Sequence, residues 1–134
     1  MDSSKRNKII YWVVTLLLMV PGAGGGVVEL FTSGPESVAL TLVALGYPLY
    51  IMKILGIAKV LGGVAILSGK SPRLKEWAYA GFTFDFLGAT ASHTLAGDSA
   101  HAIFPFGFFV VLMVSYALWY KTSATPILSS LHTK

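Results

Sequence analysis

Two charged residues in the middle of long apolar stretches, Lys59 and Asp85, carry the chemistry that this sequence suggests. Lys59 lies in the apolar segment 49–68, and Asp85 is the only Asp, Glu, Lys or Arg between Trp77 and Ala96. A charge at such a position must face other protein groups, because an unpaired charge at the centre of a bilayer costs about 2.5–3.5 kcal/mol. On antiparallel helices rising about 1.5 Å per residue, the two side chains reach nearly the same depth. We therefore predict a Lys59–Asp85 ion pair, which either sets the helix register or holds a ligand headgroup or a proton.

A second group of titratable residues is predicted near the outer face of the membrane: Glu29, Lys53, His93, Asp98 and His101. Its nitrogen and oxygen atoms could ligate a metal, but the spacing His93-x4-Asp98-x2-His101 is not a recognised ligand pattern, and we predict no metal site. The simplest interpretation is a rim of hydrogen bonds with a Glu29–Lys53 ion pair. The alternative is a small-molecule or proton-handling pocket in which His93 titrates.

The predicted ligand-binding residues are Lys59, Asp85, His93, Lys53 and Glu29. The sequence contains no nucleophile–His–Asp arrangement, phosphate-binding loop or nucleotide fingerprint. No catalytic residue is predicted, and the sequence does not decide whether the protein is an enzyme. Cysteine is absent, so a redox role would require a bound cofactor or a partner protein.

The composition is typical of an integral membrane protein. Apolar residues make up 54% of the 134 residues and charged residues only 12%, whereas soluble domains average about 25% charged. The formal net charge of +4 resides at the ends of apolar segments and not in a basic patch interleaved with aromatic residues, so nucleic-acid binding is not predicted. We expect a single membrane domain over residues 1–134.

Four apolar segments are long enough to span a bilayer core of about 30 Å, and we predict an all-α bundle of four transmembrane helices. The predicted spans cover residues 9–29, 49–68, 74–96 and 102–121. Ser33 and Glu36 fit a capping box that begins a short helix over 37–45, which we expect to be interfacial or re-entrant. A cleaved signal peptide is the competing interpretation of the first segment, but apolar residues resume at Val27 and three more spans follow.

Small residues predict two places where helices approach closely. Gly56 and Gly63 form one seam on the second span. The third span has a stripe of small residues interrupted by one acid, namely Ala78, Gly81, Asp85, Gly88, Ser92 and Ala96. In membranes such surfaces favour close helix packing.

Lysine and arginine predict the orientation. The N-terminal tail has three, the segment 70–75 has three, the chain after residue 120 has two, and the other two turns have none. By the positive-inside rule, both termini and the 70–75 turn are cytoplasmic. We predict a bacterial inner-membrane protein with membrane lipid as its surroundings.

The stretch LGYPLYIMKILGIAKVLGGVAIL, followed by SPRLKEWAYAGFTFDFLGATASHTLAGD, resembles the DoxX-like family of small four-helix membrane proteins. Lys53, Lys59, Asp85 and the pair Ser92-His93 belong to the shared elements. The resemblance implies several roles: a subunit of a thiosulfate:quinone oxidoreductase, partners of oxidative-stress proteins, and chaperone or cargo factors among eukaryotic relatives. The lack of cysteine disfavours the thiol-linked roles.

The favoured hypothesis is an accessory membrane subunit of a redox or metabolic system that binds a lipid-soluble, quinone-like or small polar-headed ligand. Lys59, Asp85 and His93 would contact its polar head, and a quinone is one candidate cofactor. A membrane or periplasmic protein is the candidate partner. The alternatives are a non-catalytic scaffold or chaperone, and a small-solute or proton carrier, which is disfavoured because the chain has no internal repeat.

Overall fold

The computed structural model describes the backbone of residues 2–32 and 36–132, and the side chains in those ranges except at 36–37 and 124–132. Within them the regular structure is helical: α1 (Ser3–Phe31), α2 (Glu36–Ala44), α3 (Ile51–Ser68), α4 (Pro72–Leu95) and α5 (Ser99–His132). The predicted all-α membrane bundle is confirmed, with the short α2 between the first two long helices. The capping box predicted at Ser33–Glu36 lies outside the described residues.

Three helical segments are long and apolar enough to cross a membrane by length and composition: Ser3–Phe31, Ile51–Ser68 and Ser99–Ser123. The 24-residue α4 is more polar. Thr83, Thr90 and Ser92 contribute to that polarity, but each hydroxyl donates to a carbonyl one turn earlier, at 2.8 Å. Such bonds satisfy hydroxyl groups in apolar surroundings. The predicted span 74–96, which corresponds to α4, stays a prediction.

The four long helices form a closed ring in cross-section. α1 packs against α3 and α5, and α4 packs against the same two helices from the other side. The core between them contains the fully buried side chains Leu18, Ile66 and Leu112 together with the α4 aromatic Phe82. Each long helix therefore has two helical neighbours, and residues from all of them can reach one interior.

The seam predicted at Gly56 and Gly63 is confirmed, and its partner is α1. A Cβ built on Gly26 would lie 2.9 Å from the carbonyl oxygen of Gly56, and one on Gly63 would overlap Ala23. At such distances an added methyl group would force the helices to move. The absence of side chains at these positions brings the α1 and α3 backbones into contact.

The second predicted seam is wrong. A Cβ on Gly81 or Gly88 would meet nothing within 4 Å, so no helix packs closely on the small-residue stripe of α4 at these two glycines, although Ala78 of the stripe is buried in the core. α3 instead meets the aromatic face of α4, where a Cβ on Gly62 would lie 2.8 Å from the ring of Phe82. The large ring fills the space over a glycine, which leaves the small residues of α4 to line cavities.

Candidate functional site

A buried ion pair connects α1 and α3. The Lys59 ammonium donates to Oε1 of Glu29 at 2.9 Å, and Glu29 is only 7% exposed. Both predicted pairings are therefore wrong: Lys59 pairs with Glu29 and not with Asp85, and Glu29 pairs with Lys59 and not with Lys53. The physical reason is the glycine seam, since the Cβ of Lys59 lies over Gly26 and that of Glu29 over Gly56.

The second oxygen of the Glu29 carboxylate is exceptional. Among the described residues, Oε2 of Glu29 is buried and has no hydrogen-bond partner. A buried acceptor left unsatisfied costs about 1–3 kcal/mol, and more if it is charged. Native proteins seldom retain such a group without a role, which makes Glu29 the most informative side chain of the site.

Glu29 and Lys59 line a cavity of about 570 Å³, which we call the outer cavity because it lies at the end of the bundle that contains the turns after α1 and α4. Small-molecule sites have volumes of about 300–1,000 Å³. Its polar lining also includes Asp85, Ser92 and His93, and its walls are apolar, with Phe84, Phe86, Phe104 and Phe108 among them. The structure thus brings four of the five predicted ligand-binding residues to one cavity.

Asp85 lies between two cavities. An inner cavity of about 860 Å³ extends from it between α3 and α4 toward Ser68 and Ser71, and Lys59 also lines both. Among the described residues, Asp85 forms no ion pair, although it interacts electrostatically with Lys59 and Glu29. The Asp85 carboxylate is therefore available to a group inside either cavity.

Lys53 is the predicted site residue that the structure places elsewhere. It is exposed, and its ammonium donates to the carbonyl oxygens of Leu30 at 2.7 Å and Thr32 at 2.9 Å. These carbonyls belong to the C-terminal end of α1, where a cation complements the helix dipole. Lys53 caps α1 and does not line the outer cavity.

His93 connects the outer cavity to the turn between α4 and α5. Asp98 in that turn accepts hydrogen bonds from Nδ1 of His101 at 2.6 Å and Nδ1 of His93 at 3.0 Å. These bonds, the stronger effect being that of His101, lower the pKa of Asp98 below its ordinary value. Among the described residues, no cluster of three or more His, Asp or Glu side chains is placed to hold a metal ion.

α2 and the following turn line the outer end of the cavity. Leu42 of α2 and Leu45 line the cavity. Tyr47 in the turn shares a hydrogen bond of 2.6 Å with Ser92 of α4. The short helix predicted as interfacial therefore forms part of the cavity wall.

A polar cluster that the sequence did not predict lies at the opposite end of the bundle. Lys75, counted in the sequence as a topology signal, is only 5% exposed. Its ammonium bonds to the hydroxyl of Tyr11 and lies 4.8 Å from that ring and 4.7 Å from the Trp119 ring. Tyr79 shares a hydrogen bond of 2.7 Å with Ser115 beside it. The spacing of Lys75, Tyr79 and Phe82 along one face of α4 was the signal that could have indicated burial.

Glu76, next to this cluster, accepts hydrogen bonds from the hydroxyl of Tyr116 at 2.9 and 3.2 Å. The cluster thus connects α1, α4 and α5 through bonds between side chains of different helices. Contacts between an ammonium and aromatic rings contribute about 0.5–2 kcal/mol each, more when they are desolvated. These contacts explain why Lys75 is buried and indicate a structural role for it.

Comparison with known proteins gives one match. A family model described as the DoxX-like family matches residues 13–115. No curated protein and no solved structure matches the chain. The matched range contains every charged residue that lines the outer cavity.

Proposed function

The chain belongs to the DoxX-like family of helical membrane proteins, and we propose that it binds a lipid-soluble small molecule with a compact polar head in the outer cavity. The observation that supports this function is the charged group Glu29, Lys59 and Asp85 in the lining of a cavity whose walls are mostly apolar, with Oε2 of Glu29 left without a hydrogen-bond partner among the described residues. The cavity is large enough for a ring or a short chain. A scaffold whose charges served only assembly would have no need of a carboxylate oxygen without a donor.

The polar head determines which molecule binds. Lipid tails are as apolar as the phenylalanine walls of the outer cavity, so moving a hydrocarbon tail from bilayer to cavity gains little free energy. Glu29, Lys59 and Asp85 offer charge-assisted hydrogen bonds that the lipid interior does not. His93 lies at the outer side of the same cavity and would contact a larger head.

In this proposal the protein acts as an accessory membrane subunit that holds its ligand for a redox or metabolic partner. A quinone-like head is one candidate, and no catalytic step is assigned to any residue. The inner membrane is the proposed location, with both termini in the cytoplasm. Basic residues flank the predicted spans in the N-terminal tail, in the 70–75 turn and after residue 120, and the positive-inside rule assigns these three segments to the cytoplasmic side. A membrane or periplasmic protein is the proposed partner.

Filling the cavity tests the proposal. Gly88 lines the outer cavity, and a Cβ added there would meet nothing within 4 Å, so we expect Gly88→Phe to place its ring in the cavity and narrow it. Gly107→Phe is the matched control, because Gly107 is also unobstructed and does not line the cavity. Both variants and the unmodified protein are isolated in nanodiscs of native lipid, and co-purifying small molecules are quantified by mass spectrometry.

We expect Gly88→Phe to retain about tenfold less of a lipid-soluble molecule, equivalent to about 1.4 kcal/mol of binding free energy. The Gly107→Phe control should match the unmodified protein. Equal retention by all three proteins would contradict the proposal and support the scaffold. If the retained molecule is a quinone, the result would favour a role in a redox system.

A further inference from the structure

The charges around the outer cavity do not balance. Glu29 and Asp85 supply two carboxylates, and Lys59 supplies the one ammonium in its lining. Lys53 is exposed and directed to the end of α1. His93 bonds to Asp98 in the turn. With both acids ionised, the group carries one net negative charge in surroundings where an uncompensated charge is costly.

These three charged side chains also offer more hydrogen-bond acceptors than donors. The Lys59 ammonium already donates to Oε1 of Glu29. Oε2 of Glu29 and the Asp85 carboxylate are acceptors, and neither has an ion-pair partner of its own among the described residues. Ionised carboxylates only accept hydrogen bonds. The site therefore has a surplus of acceptors and of negative charge at the same place.

We infer that the head of the molecule taken by the outer cavity is a protonated amine, so that the ligand is a cationic amphiphile. This inference rests on the proposed function and specifies its ligand class. An alkylammonium group in the outer cavity can donate to the Asp85 carboxylate, and its positive charge beside Glu29 and Asp85 brings the net charge of the group to zero. The aromatic walls suit it too, since Phe86 and Phe108 stack at 5.7 Å beside the same cavity.

Other head groups fit less well. An anionic head would add a second net negative charge next to Glu29 and Asp85. A quinone offers carbonyl acceptors, which suit Lys59 alone and leave the Asp85 carboxylate without a donor. An alcohol can donate one hydrogen bond but does not compensate the charge. The ammonium is the head that meets both requirements.

The experiment compares three probes that share one tail: dodecylamine, dodecanol and dodecanoate. Binding of each radiolabelled probe is measured on the full chain in phosphatidylcholine nanodiscs, and partitioning into protein-free nanodiscs is subtracted. We expect saturable binding of dodecylamine at least about tenfold tighter than that of dodecanol. Dodecanoate should show no saturable binding. Equal binding of amine and alcohol, or tighter binding of dodecanoate, would overturn the inference.

Variants locate the site. Glu29→Gln and Asp85→Asn should each weaken dodecylamine binding about tenfold, and Asp85→Glu, which keeps the charge, should restore most of it. Glu76→Gln is the matched control, because it removes a carboxylate that bonds to Tyr116 away from the outer cavity. Loss of binding in Glu76→Gln to the same extent as in Asp85→Asn would contradict the inference. If a variant fails to fold, the probe series on the unmodified protein decides alone.

The two proposals fail in different ways. If the unmodified protein binds alcohol and amine equally and Gly88→Phe lowers the binding of both, the outer cavity is a ligand site but the ammonium inference is wrong. If Gly88→Phe changes the binding of no probe and the retention of no native molecule, the proposed function is wrong as well.

Discussion

At the scale of single residues, Glu29 and Lys59 illustrate how a charge is accommodated inside this bundle. Each packs over a glycine of the opposite helix, Lys59 over Gly26 and Glu29 over Gly56. That contact brings the ammonium to 2.9 Å from the carboxylate. The pair is largely removed from solvent, with side-chain exposures of 19% and 10%. Removing one partner should therefore leave a desolvated charge, which costs more stability than the loss of a surface ion pair.

Removing one partner should therefore cost more than removing both. We expect Lys59→Met to lower the free energy of unfolding by about 3 kcal/mol, because it strands the Glu29 charge in a buried site. The double variant Lys59→Met with Glu29→Leu should recover most of that loss. Unfolding in mixed detergent micelles, followed by circular dichroism, measures the difference.

Lys53→Met serves as the control for this pair of variants, since Lys53 is exposed and caps α1. Its expected cost is about 0.3–1 kcal/mol, the size of a cation at a helix C-terminus. Costs for Lys59→Met and Glu29→Leu that simply add in the double variant would show that the two charges are not coupled.

At the scale of helices, the glycines of α1 and α3 and those of α4 have opposite roles. Gly26, Gly56 and Gly63 are buried and bring two backbones together. Gly81 and Gly88 are exposed and have no neighbour within 4 Å of a built Cβ. Glycine therefore allows α1 and α3 to touch, whereas on α4 it leaves open space beside the helix.

Two adjacent glycines of α1 test this distinction. A Cβ at Gly26 would lie 2.7 Å from the Cβ of Lys59, whereas one at Gly25 would meet nothing within 4 Å. Gly26→Ala should separate α1 from α3, lower the melting temperature and disturb the Glu29–Lys59 pair. Gly25→Ala should leave the melting temperature unchanged or raise it, since alanine favours a helix over glycine by about 1 kcal/mol.

Thermal unfolding of the two variants in the same detergent provides the comparison. Because both substitutions add one methyl group to the same helix, differences in helix propensity cancel. A Gly26→Ala protein as stable as Gly25→Ala would mean that the helices do not touch at this point.

At the scale of the whole molecule, α4 completes the bundle although it is the most polar of the long helices. It packs between α3 and α5, and its 24 residues extend about 36 Å at 1.5 Å per residue, enough for a bilayer core of about 30 Å. Two of its charged groups have partners on other helices: Lys75 bonds to Tyr11, and Glu76 bonds to Tyr116. We therefore expect α4 to span the membrane together with the other three long helices.

The absence of cysteine from the chain makes this topology directly measurable. Single cysteines at His101 and Lys70 mark the turns at the two ends of α4. We expect a membrane-impermeant maleimide to label His101→Cys in spheroplasts and Lys70→Cys only after lysis, since basic residues favour the cytoplasmic side. Labelling of both cysteines from the same side would exclude α4 as a span.

The sequence alone determined the properties that depend only on the residues of one segment. Hydropathy and length are properties of each segment, so the helical membrane class and the short helix after α1 followed from them. The depth of a charged residue along its own helix is also local, which is why the sequence placed Lys59 and Asp85 at nearly the same depth without any contact being known.

Only the tertiary structure decided which charges touch and which small residues are covered. Glu29 and Asp85 are both acids within reach of Lys59, and depth cannot choose between them. The contact between the α1 and α3 backbones at Gly26 and Gly56 makes that choice. The reason is physical: a helix presents the same side chains whatever its neighbour, whereas a pairing depends on the rotation, register and separation of two helices together.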